Sequence, residues 1–592
     1  MAQTAPERRL RGIGVSPGIA IGPARTFRLR SLDIHPRSID DPATELARYD
    51  EAVARAREEL RALKEQTAKD LGDRQAAIFD AHLALLDDPA LRPEVERNLK
   101  LERLNVEYIV QEIIGGYARL LEQLEDPSFR ERSTDLADVG RRILSHLLGE
   151  KLTRLDEMDV PCIVVAHELA PSETASLDKK HARGLATDAG GPTSHMAIIA
   201  RAFEIPSVVG LRHLGDQVND GDTLIVDGAR GFVIVHPAKA TLARYEAEKK
   251  RLDEIRSALL AAVGEGPCVT LDGEHIPTYA NIELLAETAM SRNARCQGIG
   301  LYRTEFLFMD RDDLPTEEEQ YTEYRKVMES MAPLPVTVRT LDIGGDKGMP
   351  LLTADHETNP QLGWRSIRLC LDRPDVFKAQ LRALLRASIH GDMRIMFPMI
   401  TSLEQFLEAR TMIDEVKADL RGRKIEFNDK VPVGSMIEIP AAVTIADLLA
   451  KECAFLSIGT NDLIQYCLAV DRTNERTAHL YQPTHPAVLR MLKQTLDAAK
   501  EAKVECSVCG EMAGDPALTE LLIGIGFRSL SMSSASLPAV RAEIANTDVA
   551  AAKKFARKVL ALSSTAEIRE LITQRNAERD TLNRLGRSGA PA

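Results

Sequence analysis

The sequence predicts a multidomain α/β chain that ends in a (β/α)8 barrel, and three observations point there. The chain has 592 residues, too many for a single hydrophobic core. A block of helical periodicity in its first half is flanked on both sides by strand-like segments. Its second half alternates strand and helix about eight times over roughly 300 residues, the length and rhythm of a (β/α)8 barrel.

The opening stretch, to about Arg28, is Gly-rich with β-branched apolar residues and reads as strand and turn. From Asp41 to Gly149 the period changes. Val53, Ala56, Leu60 and Leu63 recur at helical spacing, as do Ile78, Phe79, His82, Leu83 and Leu86, and Asp87-Asp88-Pro89 stops that helix. Tyr108, Ile109, Ile113 and Leu120 continue the pattern, followed by Leu136, Val139, Ile143 and Leu147, so a bundle of about four or more helices is expected. Cys162–Val165, Val208-Val209 and Leu224–Val226 read as strands of a compact α/β unit. The N-terminal strand segment has no partner of its own and is expected to join that unit, which makes the helical bundle an insertion. Residues 1–30 and 152–237 are thus read as one α/β domain and 31–151 as the inserted helical domain. Residues 238–262, rich in Ala, Glu, Lys, Arg and Leu, form a helical linker, and 263–592 form the barrel.

Within the barrel the expected strands are His275–Ala280, Ile299–Tyr302, Val336–Thr340, Met393–Phe397, Val433–Ile437, Phe455–Ile458, Val504–Val508 and Arg528–Ser531. Ionisable and amide groups fall just after many of them: Asn281, Arg303 with Glu305, Arg339 with Asp342, Glu438, Asn461 with Asp462, and Cys509 with Glu511. In a barrel these positions share the C-terminal rim, where active sites of this fold are built.

Bulk properties exclude several classes. A net charge of -13 opposes a nucleic-acid backbone. No stretch approaches the roughly 18–20 apolar residues of a membrane span, and the N-terminus lacks the apolar core of a secretory signal. Eight scattered Cys fit a reducing, cytoplasmic setting. Cys506 and Cys509 have C-x-x-C spacing, but no second pair completes a zinc site. Odd spacing on a strand also turns the two side chains to opposite faces, against a redox pair.

The run Gly190-Gly191-Pro192-Thr193-Ser194-His195 leads a Gly-rich turn into an apolar helix, whose start favours negative charge. A His placed there can accept a phosphoryl group; the plain alternative is a His packed at a helix start. Here the chain resembles Enzyme I of the phosphoenolpyruvate:sugar phosphotransferase system, and more widely phosphoenolpyruvate synthase and pyruvate phosphate dikinase. The resemblance runs from Gly14-Val15-Ser16-Pro17-Gly18 through Ala77-Ile78-Phe79-Asp80-Ala81-His82 to the barrel motifs.

The resemblance implies a swivelling phosphohistidine domain carrying His195, a helical domain that docks the phosphocarrier protein HPr, and a TIM barrel that binds phosphoenolpyruvate and forms a homodimer. It implies that Arg303, Arg339, Asn461 and Arg472 contact phosphoenolpyruvate, with Arg365 and Lys347 as further phosphate contacts. It assigns Glu438 and Asp462 to Mg2+, with Asp462 also at the substrate, and Cys509 as the acid that protonates enolpyruvate. The competing reading for Arg303 is a scaffold pair with Glu305.

The implied activity is the first step of the phosphorelay: phosphoryl transfer from phosphoenolpyruvate to His195 and on to HPr, with release of pyruvate. The alternatives are a nitrogen-related regulatory Enzyme I, which normally has an extra N-terminal sensory domain, and a non-catalytic scaffold of the same fold. The absence of a Gly-rich phosphate loop speaks against the ATP-using members of the wider group.

Overall fold

The computed structural model describes residues 6–27, 34–71, 73–122, 127–149, 160–169, 177, 181–191, 195–203, 205–262, 266–309, 313–344, 357–472, 474 and 476–588. The chain divides into two compact units, Met1–Glu254 and Ile255–Ala592.

In the first unit, strands β1 (Arg8–Arg11), β2 (Ile13–Ser16) and β3 (Ile19–Phe27) precede a run of helices. These are α1 (Pro42–Leu71), α2 (Asp73–Leu86), α3 (Leu91–Glu102), α4 (Val106–Glu122) and α5 (Pro127–Leu148). Their apolar faces meet in one core that includes Leu60, Phe79, Val95, Leu99, Ile109, Val139 and Ile143. The chain then returns to strand in β4 (Cys162–Ala166), β5 (Ala182–Thr187), β6 (Ser207–Val209), β7 (Thr223–Asp227) and β8 (Phe232–Val235). All eight strands lie in one sheet of order β1-β8-β7-β3-β4-β5-β6-β2. β3 runs parallel to β4 and antiparallel to β7, so the strands before and after the helices hydrogen-bond directly. Helix α6 (His195–Ala202) buries Met196, Ala197 and Ala200 in a core with Val164 and Leu185.

β5 and β8 were not expected. Ala-Arg-Gly-Leu-Ala-Thr offers little β-branched signal for β5, yet pairing on both edges with β4 and β6 makes it a central strand. Helix α7 (Lys239–Ala262) follows, where the linker was predicted.

The second unit is built on a closed, all-parallel barrel. Its strands are β9 (Thr278–Ile282), β10 (Ile299–Arg303), β11 (Val336–Arg339), β12 (Met393–Phe397), β13 (Val433–Ile437), β14 (Phe455–Ile458), β15 (Glu505–Val508) and β16 (Leu530–Ser533), and β16 closes on β9. β9 and β16 start later than their sequence suggested. Pro277 has no N–H for the ladder, and its carbonyl instead accepts from Leu530 N–H at 3.1 Å, which sets where both strands begin. The outward faces, such as Leu456, Ile458, Cys506 and Val508, join the main core with the surrounding helices. The inward faces form a separate small cluster of Leu301, Met396, Met436, Phe455 and Cys509.

The polar end of the chain is also structural. Helix Thr565–Ser588 places Arg575 and Arg579 on buried Glu520, with Arg575 Nη2 to Glu520 Oε1 at 2.8 Å and Arg579 Nη1 to Glu520 Oε2 at 3.2 Å.

Candidate active site

Apart from Arg472, which follows the helix Thr460–Leu468, the barrel residues assigned to the site lie at or just beyond the C-terminal end of a strand. Arg303 ends β10 and Arg339 ends β11; Glu438 follows β13; Asn461 and Asp462 open the helix Thr460–Leu468 after β14; Cys509 follows β15. Strand direction alone therefore brings them to one rim.

Buried carboxylates hold the arginines. Arg339 Nη2 donates to Glu305 and forms an ion pair with Asp342 Oδ2 at 3.1 Å. Arg365 meets Asp342 with Nε at 3.0 Å and Nη2 at 3.1 Å, and its Nη2 also reaches Asp462 Oδ2 at 3.3 Å. Its Nη1 donates to Gln361 Oε1 at 2.7 Å and to the Tyr466 hydroxyl at 3.2 Å. Asp342 thus ties the end of β11 to Arg365 in the segment that follows it, and Arg365 carries the link to Asp462 after β14. The loop after it fits only because Gly344 is at φ +115°, where a Cβ would lie 2.8 Å from the Arg365 backbone. Arg339 Nε is buried with no hydrogen-bond partner among the described residues, a donor suited to an anionic ligand.

One expectation needs correction. Glu305, the scaffold partner considered for Arg303, forms its ion pair with Arg339, while Arg303 pairs with Glu283. Glu283 was missed because the expected strand stopped at Ala280; β9 runs to Ile282, so Glu283 obeys the same strand-end rule as the others.

Glu438 and Asp462 are close enough to couple. Burial, then the charges of Asp462 and Asp342, push the Glu438 carboxyl up to about 8, and its Oε1 accepts from Met399 N–H at 2.7 Å. A buried carboxyl whose charge is disfavoured by a neighbouring acid is a setting for a cation.

Asn461 and Glu511 bond reciprocally: Asn461 Nδ2 donates to Glu511 Oε1 at 3.3 Å, and Glu511 N–H to Asn461 Oδ1 at 3.0 Å. Tyr481 donates to the Asn461 carbonyl at 3.3 Å, and half-buried Arg472 bonds the same hydroxyl.

Cys509 lies inside the barrel with Sγ 3.5 Å from the Ile458 carbonyl, and Asn281 Nδ2 donates to the Cys509 carbonyl at 3.1 Å. Burial pushes the thiol up to about 11, against a hydrogen bond from the Ser457 hydroxyl, so it stays protonated at neutral pH. Cys506 points outward into the main core, and both sulfurs are free thiols. The C-x-x-C spacing therefore makes no pair.

In the first unit, Gly190 at φ +101° turns the chain toward α6, whose first residue is His195. Asp188 anchors the start of this turn by accepting N–H groups of Leu214 and Gly215, the latter at 3.0 Å. Pro192, Thr193, Ser194, the His195 side chain and Lys347 lie outside the described residues.

A closed parallel barrel with arginines, paired acids and a protonated thiol at its C-terminal rim defines an enzyme site for a small, highly charged anion. The chain belongs to the PEP-utilising enzyme family. Residues 11–132 match the N-terminal domain of these enzymes, 158–231 their mobile domain and 257–549 their PEP-binding domain. Among its relatives are proteins named phosphoenolpyruvate-protein phosphotransferase. That of Bacillus sp. (strain S) is 43% identical over 96% of this chain and 98% of its own length. That of Geobacillus stearothermophilus is also 43% identical, again over 96% and 98%. That of Bacillus subtilis (strain 168) is 42% identical over 95% and 98%. No described helix is long and apolar enough to cross a membrane.

Proposed function

We propose that the chain is the first enzyme of a phosphotransferase system: it takes the phosphoryl group of phosphoenolpyruvate onto His195, releases pyruvate, and passes the phosphoryl group to a histidine of HPr. Relatives of that name align with it nearly end to end. The observation that carries the mechanism is the convergence of Arg303, Arg339, Arg365, Glu438, Asp462 and Cys509 on one barrel rim.

Arg303, Arg339 and Arg472 bind the phosphate and carboxylate of phosphoenolpyruvate, with Asn461 completing the contact and Arg365 supporting it. A guanidinium fork suits both anions. Among the described residues no group of three His, Cys, Asp or Glu could hold a metal by itself. The Glu438–Asp462 pair nonetheless fits Mg2+, which takes one or two protein carboxylates and completes its shell with phosphate oxygens and water. Bound there, Mg2+ supplies charge neutralisation at the phosphoryl oxygens. The His195 imidazole attacks phosphorus, and Cys509 gives its proton to the methylene carbon of the departing enolpyruvate.

Residues 1–30 and 152–237 act as the mobile phosphohistidine domain, 31–151 as the HPr-docking domain and 238–262 as the hinge. Residues 263–592 bind phosphoenolpyruvate and carry the contact of a cytoplasmic homodimer. A mobile histidine is required because one imidazole serves two partners in turn.

The test is incubation with 32P-labelled phosphoenolpyruvate and Mg2+. Wild type takes up acid-labile label and yields it to HPr, and His195→Ala takes none. Equal labelling of His195→Ala, or no labelling of wild type, overturns the reading.

A further inference from the structure

We propose that Ser457 and Ser507 form a proton relay inside the barrel that recharges Cys509 from solvent at the end opposite the active site. This rests on the reading of Cys509 as the proton donor. A thiol that gives up its proton each turnover must regain one, and Cys509 is only 2% exposed. A second route to water is built into the barrel beneath it.

Barrel interiors are usually filled by bulky branched side chains. Here Tyr279 and Phe455 share the lower layers with the small or hydroxyl residues Gly300, Thr337, Ser457 and Ser507. Ser457 and Ser507 are register partners on β14 and β15, and the Ser507 hydroxyl donates to the Ser457 hydroxyl at 2.9 Å. Ser507 is two residues before Cys509, so both face the barrel interior. The Ser457 hydroxyl in turn lies on the same inner face beside the Cys509 sulfur, near enough to favour its thiolate. Two hydroxyls, Ser457 and Ser507, therefore lead from Cys509 to a cavity at the N-terminal end of the barrel.

That cavity has about 10 Å3 of room for a water centre, about enough for a single water, and is lined by Ser457, Ser507, Ser529, Thr337 and the ion pair Arg394–Glu505, which closes at 2.7 Å. The pair is partly exposed, with side chains 27% and 38% accessible, so this end communicates with solvent. The Ser529 hydroxyl is buried with no partner among the described residues, the kind of group that orders a water.

The step balances as follows. Cys509 gives its proton to the enolpyruvate carbon: a C–H bond forms, an S–H bond breaks and a thiolate remains. Ser457 passes its hydroxyl proton to the thiolate, Ser507 passes its own to Ser457, and water in the cavity restores Ser507. One O–H bond of water breaks for the S–H bond formed, and the hydroxide left is neutralised by the buffer.

The test separates the first turnover from later ones. Quench-flow with 14C-labelled phosphoenolpyruvate, Mg2+ and excess HPr follows pyruvate in wild type, Ser507→Ala, Ser457→Ala and Ser507→Thr. The first turnover uses the proton already on Cys509, so in Ser507→Ala, which does not touch the thiol, it stays within about twofold of wild type. Later turnovers slow about tenfold or more, as expected for loss of a positioned proton-transfer group, and their solvent deuterium isotope effect rises. Ser507→Thr keeps the hydroxyl and restores the later turnovers. The proposal is overturned if later turnovers in Ser507→Ala run at the wild-type rate, or if first and later turnovers slow by the same factor. Cys509→Ser tests the parent reading separately: a first turnover at the wild-type rate would remove Cys509 itself as the donor.

Discussion

Asp342 receives Arg365 side-on, through hydrogen bonds of 3.0 and 3.1 Å, while its Oδ2 also takes Arg339 at 3.1 Å. One buried carboxylate thus holds two arginines of the barrel rim. Removing it leaves two guanidinium groups short of their counter-charge in a buried place. Asp342→Ala is expected to destabilise the chain by about 3–5 kcal/mol, the usual consequence of breaking a buried ion pair from one side. Asp342→Asn, which keeps one acceptor, should cost less. Urea unfolding followed by the fluorescence of Trp364, the neighbour of Arg365 and the chain's single tryptophan, reads both.

Exchanging the partners of the other two arginines separates binding from stability. Glu283→Gln loosens Arg303 at the half-buried edge of the site, whereas Glu305→Gln leaves the buried Arg339 with Asp342 alone as its carboxylate. The first should raise the KM for phosphoenolpyruvate with little change in melting temperature, and the second should lower both turnover and melting temperature. Steady-state kinetics with thermal unfolding checks the contrast.

Glu438→Gln removes one of the two acids proposed for Mg2+. His195 labelling should then need at least about tenfold more Mg2+ and should proceed about 10²-fold more slowly, on the scale of lost transition-state charge stabilisation. A Mg2+ titration of label uptake measures this. Removing the metal from wild type with a chelator should stop labelling, and adding Mg2+ back should restore it.

The Cys509 thiol is raised by burial to about 11, from an ordinary value near 9. Its folded form holds the proton longer than its unfolded form does, so its share of stability is complete below pH 9 and declines as pH rises from 9 through 11. The same shift keeps the acid in its working form well above neutrality. Pyruvate formation should therefore show no alkaline fall attributable to Cys509 below about pH 10. A pH–rate profile of pyruvate release, set beside that of Cys509→Ser, gives the answer.

Glu520 fastens the C-terminal helix through Arg575 and Arg579. Glu520→Ala should loosen that helix, giving faster proteolysis near the C-terminus and faster amide exchange over 565–588. The cost should be about 1–3 kcal/mol, and label uptake at His195 should be unchanged. Limited proteolysis with mass spectrometry reads the first effect.

The barrel was legible because its strands are short apolar runs ended by breakers, and such runs are local facts. Met393–Phe397, Val433–Ile437 and Phe455–Ile458 appear with the predicted bounds. Most strand-end positions proposed for the site were legible for the same reason: they end or follow a strand, and parallel strands carry such positions to one rim, whereas Arg472 lies beyond a helix. Helical period marked the bundle equally well. β5 was not legible, because its strand character comes from pairing on both edges rather than from its own residues.

What the sequence determined by itself is therefore a list of places: which segments are strand or helix, and which polar groups stand at the strand ends. The tertiary structure decided the partners. Arg303 takes Glu283, Arg339 takes Glu305 and Asp342, and Arg365 spans Asp342 and Asp462. Barrel closure also placed Ser457 and Ser507 beneath Cys509. The physical reason is that an ion pair or hydroxyl chain depends on strand tilt and register across neighbours as much as 97 residues apart, and no local pattern encodes that distance.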